Sequence, residues 1–415
     1  MNTPDYSLPF SDPQMLKPAK PWLMLGVIAL GVAGIFAGIL SNTKSPYFYK
    51  ALVVHVDLSV LVWFLTMACM FFAISTAGRG FVMVKQAAFY CFAIGACCIV
   101  LAGFTQGEAY MSNYIPVIRH PIFFAGLSLL LCGALGMVFN QIVTFKSGNV
   151  QQFGITSAAV ILLISFTCFV WSQREVPPTM HGQIYYEYAF WGGGHVLQFA
   201  HTQLMLVAWM WLASAASIRV MPGVKLLRAL YVVGLLSALF GFSIYFTHDA
   251  ASDEHRTAFT LLMKHMNGFS AIVAGVMLLT GILLYPWNKA QRLPRIMLLM
   301  SILLFVAGGV LGYMIAGSNV TVPAHYHGSI VGITLAFMGV AYLILPGLGF
   351  ADVSKSIVAF IQPIIYGGGQ LCWMTGMAIL GSHGVPRKTP GSADTVGALA
   401  AFLKHGGDGL ALIGG

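Results

Sequence analysis

The sequence predicts an all-α, polytopic membrane protein with about twelve transmembrane helices, on three observations. Apolar residues make up 58% of the 415-residue chain and charged residues only 8%. The apolar residues gather in runs close to the roughly 20 residues that cross a bilayer as a helix. No polar linker separates these runs, so one polytopic domain is expected where length alone would allow several.

The elements follow in chain order. Residues 1–20 are polar, carry Pro4, Pro9, Pro13 and Pro18, and lack the apolar core of a cleavable signal peptide, so they read as a cytoplasmic tail. The transmembrane domain is expected over 21–390. Its apolar runs lie near 22–41, 51–76, 87–104, 120–143, 153–172, 186–214, 226–248, 257–286, 294–316, 325–347 and 357–382. Residues 391–415 read as a weak twelfth helix or a C-terminal tail, because 393–414 is Gly-rich and interrupted by Lys404 and Asp408.

A cytoplasmic tail sends the first helix outward and the second inward. More of the 21 Lys and Arg then fall inside, among them Arg219, Lys225, Arg228, Lys289, Arg292 and Arg295, as the positive-inside rule requires. The expected location is a bacterial-type cytoplasmic membrane. The net charge of +9 is read as topology; nucleic-acid binding needs a water-exposed basic face, and none is apparent. Cys69, Cys91, Cys97, Cys98, Cys132, Cys168 and Cys372 all lie in apolar runs and are expected to remain free. There is no C-x-x-C-H, so no c-type haem attachment is expected.

Chemistry is carried by histidines. Imidazoles are costly in lipid unless they bind something. His55, His195, His248, His325 and His327 each sit near one end of an apolar run. With alternating helix directions all five reach one depth, toward the outer face, which suggests buried haem and metal. Residues two apart on a helix point roughly 200° apart, so His325 and His327 can serve two haems on opposite faces. His55 is the natural second imidazole for a bis-His haem. A haem held by one His keeps an open position for a small gas. His195 and His248 remain for a non-haem metal, iron or copper. A ligating Asp249 would shift the preference toward iron, whereas in the plainer reading it opens an acidic outer loop. His120, His181, His201, His255, His265, His383 and His405 are read as structural. Lys264 and His265 stand in the eighth run, facing haem propionates or only a polar seam.

These residues resemble subunit I of the haem–copper oxidase superfamily over roughly residues 20–390. A-L-V-V-H-V-D-L-S-V-L-V-W is similar to the helix-two motif that supplies a low-spin haem ligand, here His55. W-G-G-G-H-V-L-Q-F is similar to the W-x-x-x-H whose His binds the non-haem metal, here His195. P-A-H-Y-H-G resembles the H-x-H of helix ten, implying His325 for the high-spin haem and His327 for the low-spin haem. T-Q-G-E-A-Y resembles an outer-surface motif of cb-type oxidases and NO reductases, shifted by one position, and implies Glu108 near haem propionates and Ca2+. H-G-V-P-R-K resembles the G-M-P-R-R after the eleventh helix. The resemblance implies a subunit-I-like bundle, two haems expected to be b-type, and non-haem iron or copper.

The departures bear on the reaction. The family's His-His at the end of helix seven is His248-Asp249 here. The redox-active tyrosine of oxygen reductases is absent at both usual positions, which are Phe199 and Phe242; Tyr245, one turn before His248 on the same face, is a candidate substitute. Phe199 also stands where cytochrome-c-type NO reductases carry Glu. A branch with two His and one Asp at this metal has been proposed to reduce NO, and this chain resembles it. The leading expectation is therefore NO reduction to N2O. The runner-up is an oxygen reductase using Tyr245 or an unusual donor. A third reading is a haem electron-transfer or sensing subunit without a competent metal site. Electrons are expected from a cytochrome c-type subunit, with quinol as the alternative. Intramembrane acids are few, essentially Asp57, so protons are expected from outside past Glu108 or Glu187.

Overall fold

The computed structural model describes residues 5–7, 13–40, 44–146, 148–286, 288–387 and 397–415. The expected boundary at 390–391 and much of the expected tail lie outside the described residues. Eleven described helices are long and apolar enough to span a membrane. They are α1 (Gln14–Leu40), α2 (Phe48–Ser75), α3 (Val82–Ala102), α4 (Pro121–Val143), α5 (Val150–Glu175) and α6 (Gly182–Ala215), followed by α7 (Val224–Thr247), α8 (Asp253–Leu284), α9 (Lys289–Tyr313), α10 (Thr321–Ile344) and α11 (Ile357–Ser382). A twelfth helix, α12 (Ala398–Gly414), completes the all-α, polytopic architecture. All seven cysteines are free.

Hydropathy does not foretell two details. Helix α2 widens into a π-helical stretch over Asp57–Val62, just after His55, and α8 does so over Met263–Asn267, which includes Lys264 and His265. Between α3 and α4 the chain forms a short hairpin. Strands β1 (Glu108–Tyr110) and β2 (Val117–Arg119) pair antiparallel, with Glu108 opposite Arg119.

The chain forms two compact units. The first holds residues 10–204 and 225–270. Here α3 and α4 approach at glycines: a Cβ on Gly95 would lie 2.7 Å from the Gly126 carbonyl oxygen. Buried polar side chains answer one another. Gln203 donates to Ser157 Oγ (2.7 Å), Tyr231 donates to Gln151 (2.7 Å), and Gln141 donates to Thr156 (2.8 Å).

The second unit holds residues 1–9, 205–224 and 271–415. Helix α10 packs against α9 and α11, and α11 against α12. The glycines that make the last segment look like a poor helix are its contact surface. A Cβ on Gly407 would fall 2.7 Å from the Gly369 carbonyl oxygen, and one on Gly376 would fall 2.7 Å from the Lys404 nitrogen. Close backbone approach replaces side-chain packing, as is usual between helices in lipid. Arg295 is 1% exposed; its guanidinium donates to the carbonyls of Ile282 (2.6 Å) and Pro286 (3.1 Å) at the end of α8.

Candidate functional site

In the second unit, His325 and His327 leave α10 toward different neighbours. His325 Nδ1 lies 2.7 Å from the Gly308 carbonyl oxygen on α9. Gly312 gives that ring its space, since a Cβ there would be 2.7 Å from His325 Cε1. His327 turns to α11 instead, with Nδ1 3.3 Å from Gln370 Oε1 and its ring 4.2 Å from Trp373. The two-residue offset thus gives the divergence that helical geometry demands.

In the first unit, His55 is half-buried on α2, with Nδ1 2.9 Å from the Ala33 carbonyl oxygen on α1. Asp57, two residues on, is 1% exposed and neither carboxylate oxygen has a hydrogen-bond partner. His195 on α6 is also 1% exposed. Its Nδ1 lies 2.8 Å from the Trp191 carbonyl oxygen, and its Nε2 lies 2.9 Å from the Tyr114 hydroxyl.

A carbonyl oxygen only accepts, so Nδ1 carries the proton in His55, His195 and His325. Each Nε2 then presents a lone pair, the arrangement in which protein imidazoles bind iron and copper. These histidines fit the cofactors the resemblance implies.

The three glycines before His195 have a packing role. Cβ atoms at Gly192, Gly193 and Gly194 would strike the rings of Tyr245, Phe169 and Tyr114 respectively. Tyr114 lies in the hairpin turn, its ring 4.8 Å from His195 and edge-on to Trp191 at 5.6 Å. Glu187 holds this turn, its carboxylate accepting from the Asn113 backbone N–H (3.0 Å) and from the Asn113 side-chain amide. Arg256 pairs with Glu187 at 3.9 Å and lies over Trp191 at 4.5 Å. Gly194→Ala is expected to push Tyr114 from His195 and to destabilise the protein by about 1–3 kcal/mol. Thermal unfolding in detergent checks this; an unchanged melting temperature counts against the fit described.

The end of α7 carries the remaining candidates. His248 and Asp249 are exposed. Asp249 Oδ1 accepts the Ala251 N–H at 2.7 Å, closing a turn. Tyr245 is buried, and its hydroxyl serves α5: it donates to the Cys168 carbonyl at 3.0 Å and contacts Ser172 Oγ at 2.7 Å. Among the described residues, no group of three or more His, Cys, Asp or Glu is arranged to hold a metal ion. His195, His248 and Asp249 are therefore not gathered into a closed ligand set. Glu108 is exposed in β1 and accepts from Tyr110 at 2.6 Å, and that bond raises the Tyr110 phenol above its ordinary value.

Sequence reasoning missed Tyr114 here. Tyr114 is 81 residues from His195, so nothing local marks it. His255, read as structural, is fully buried with neither ring nitrogen hydrogen-bonded.

The family profile described as cytochrome c and quinol oxidase polypeptide I matches residues 17–404. An uncharacterised protein of Rickettsia prowazekii (strain Madrid E) is 28% identical to the chain, covering 96% of it and 93% of the relative. An uncharacterised protein of Aquifex aeolicus (strain VF5) is 25% identical, covering 82% of this chain and 88% of the relative. A profile match along nearly the whole chain, over eleven candidate spans, shows that this protein belongs to the haem–copper oxidase subunit I family.

Proposed function

We propose that the chain is the catalytic subunit of a membrane oxidoreductase that reduces NO to N2O at a high-spin haem and a non-haem metal, fed by a low-spin haem. Two NO, two electrons and two protons give N2O and water. The observation that carries the choice of NO is the state of the tyrosine positions. Phe199 and Phe242 have no hydroxyl, and that of Tyr245 is committed to Cys168 and Ser172. Forming an N–N bond needs no four-electron delivery, so the reaction tolerates that lack.

When bound, the haems and the metal supply gas binding and electron transfer. His55 and His327 are low-spin haem ligands in this reading, and His325 is the high-spin haem ligand. His195 and His248 are metal ligands, with the Asp249 carboxylate as the third candidate. The carbonyls of Ala33, Gly308 and Trp191 fix the tautomers of His55, His325 and His195. Glu108 borders the haem propionates and a Ca2+ site, and Glu187 starts a proton route from outside. A cytochrome c-type subunit, or quinol, supplies electrons in a bacterial cytoplasmic membrane.

Tyr114 supports a second reading. A phenol 2.9 Å from His195 Nε2 is an unusual donor of the kind an oxygen reductase needs. The purified holoprotein separates the readings. N2O formation from NO without oxygen uptake is expected; rapid oxygen uptake without NO turnover defeats the proposal. Two haems with no third metal defeats both reductase readings and leaves an electron-transfer or sensing subunit.

A further inference from the structure

We propose that a cleft between the hairpin and the α5–α6 turn binds the phosphate headgroup of an anionic phospholipid. The proposal is independent of which gas the chain reduces.

The cleft encloses about 660 Å³, within the roughly 300–1,000 Å³ of small-molecule sites. It lies inside one compact unit. Arg119 comes from β2 and Arg174 from the last turn of α5. His181 precedes α6, and Tyr110, Tyr185 and Tyr186 add phenols. No Asp or Glu is among the described lining residues, and neither arginine forms an ion pair among the described residues. The neighbouring acids are engaged elsewhere. Glu108, opposite Arg119 in the hairpin, accepts from Tyr110 at 2.6 Å. Glu175, next to Arg174, accepts from Trp171 at 2.5 Å. Arg119 lies beside the Tyr110 hydroxyl, but a guanidinium has five N–H donors, so one phenol leaves most of them for a ligand. Two planar forks of this kind match phosphate, whose oxygens accept parallel pairs of bonds from arginine.

The backbone fixes this arrangement. Helix α5 ends where the Val176 N–H donates to the Ser172 carbonyl at 2.9 Å. Pro177 and Pro178 follow, each with φ locked by its ring, and the Pro177 carbonyl accepts the Met180 N–H at 3.0 Å. Gly182 then takes φ +66°, a left-handed value that side chains disfavour. Helix α6 thereby starts against Tyr110, since a Cβ on Gly182 would lie 3.6 Å from that ring. Gly182 and Tyr185 of the first turn of α6 both line the cleft, so the positive end of the helix dipole adds to the attraction for an anion.

Apolar surface beside the cleft favours a lipid over a free anion. Tyr186 stacks on Phe124 (6.1 Å) and on Phe190 (5.9 Å). Ile184, in the same first turn of α6, is 61% exposed. Tyrosines at the ends of spanning helices mark the boundary between water and bilayer, and basic pockets between such helices hold lipid headgroups. A phosphate held by Arg119 and Arg174 leaves its acyl chains this apolar surface.

The test is lipid retention by the purified holoprotein, measured by native mass spectrometry after delipidation and addition of phosphatidylglycerol. Wild type should hold the lipid. Arg119→Gln/Arg174→Gln should bind it at least about tenfold more weakly, with haem content unchanged. Arg119→Lys/Arg174→Lys keeps both charges and should recover part of the binding, which a fold defect would not allow. Equal retention by wild type and the glutamine variant overturns the inference. Binding of inorganic phosphate without phosphatidylglycerol also overturns it, leaving a small-anion site. Loss of haem from the glutamine variant overturns it as well, because the arginines would then serve haem propionates.

Discussion

His327→Ala and His325→Ala are expected to remove different haems from the same protein, although the residues are two positions apart. The His325 imidazole is committed to α9, through Gly308 and the space left by Gly312. The His327 imidazole is committed to α11, against Trp373 and Gln370. Neither ring can reach the other's side without unwinding α10, since residues two apart diverge by roughly 200°. His327→Ala should therefore abolish the low-spin spectrum and leave a haem that binds carbon monoxide. His325→Ala should do the reverse. Each variant should retain one of the two proposed haems, which the pyridine haemochrome and the carbon monoxide difference spectrum measure. Loss of the same spectral species in both variants would sink the proposed division of labour.

This divergence was readable from spacing because it depends only on helical pitch. The spans were readable for a similar reason: hydropathy integrated over a bilayer thickness is insensitive to detail. Segment 393–414 shows where that reasoning weakens. Gly407 and Gly414 lower its apolar content, yet they let α12 sit against α11. Helix packing in lipid rewards what a hydropathy count penalises. The π-helical stretch after His55 left no trace either, because D-L-S-V-L-V is ordinary helix sequence.

The candidate site was half legible. The triplet Gly192-Gly193-Gly194 stood in the sequence as spacing in W-x-x-x-H, but its purpose is three-dimensional: the rings it admits come from α7, α5 and the hairpin turn. Asp249 and His255 share one stretch of chain after α7. Both lie in D-A-A-S-D-E-H, and which of them points inward is decided by the Asx turn and the Ser252 cap. Asp249 follows His248 directly in the chain, and its carboxylate closes the turn after α7.

Tyr114→Phe separates the two substrate readings most sharply. The substitution removes one hydroxyl and keeps the ring that packs on His195 and Trp191, so the turn held by Glu187 and Asn113 should survive. What is lost is the contact to His195 Nε2. If the chain reduces oxygen, that phenol is the only hydroxyl described at His195 able to deliver a proton and an electron. Its loss should then lower turnover by at least the about 100-fold typical of a missing general acid, with partly reduced oxygen released. If the chain reduces NO, no tyrosyl step is required. N2O formation should then persist, falling by much less than that about 100-fold. The expected result is the second. Parallel assays of N2O formation and oxygen uptake on wild type and variant decide it. A variant that has lost NO turnover, with its haem and metal content unchanged, would count against a route that needs no tyrosine and make Tyr114 a participant in the chemistry. Glu187→Gln keeps one of the two acceptors for Asn113 and removes the charge opposite Arg256. It should therefore leave the Tyr114 contact in place and alter turnover only if protons enter past that carboxylate.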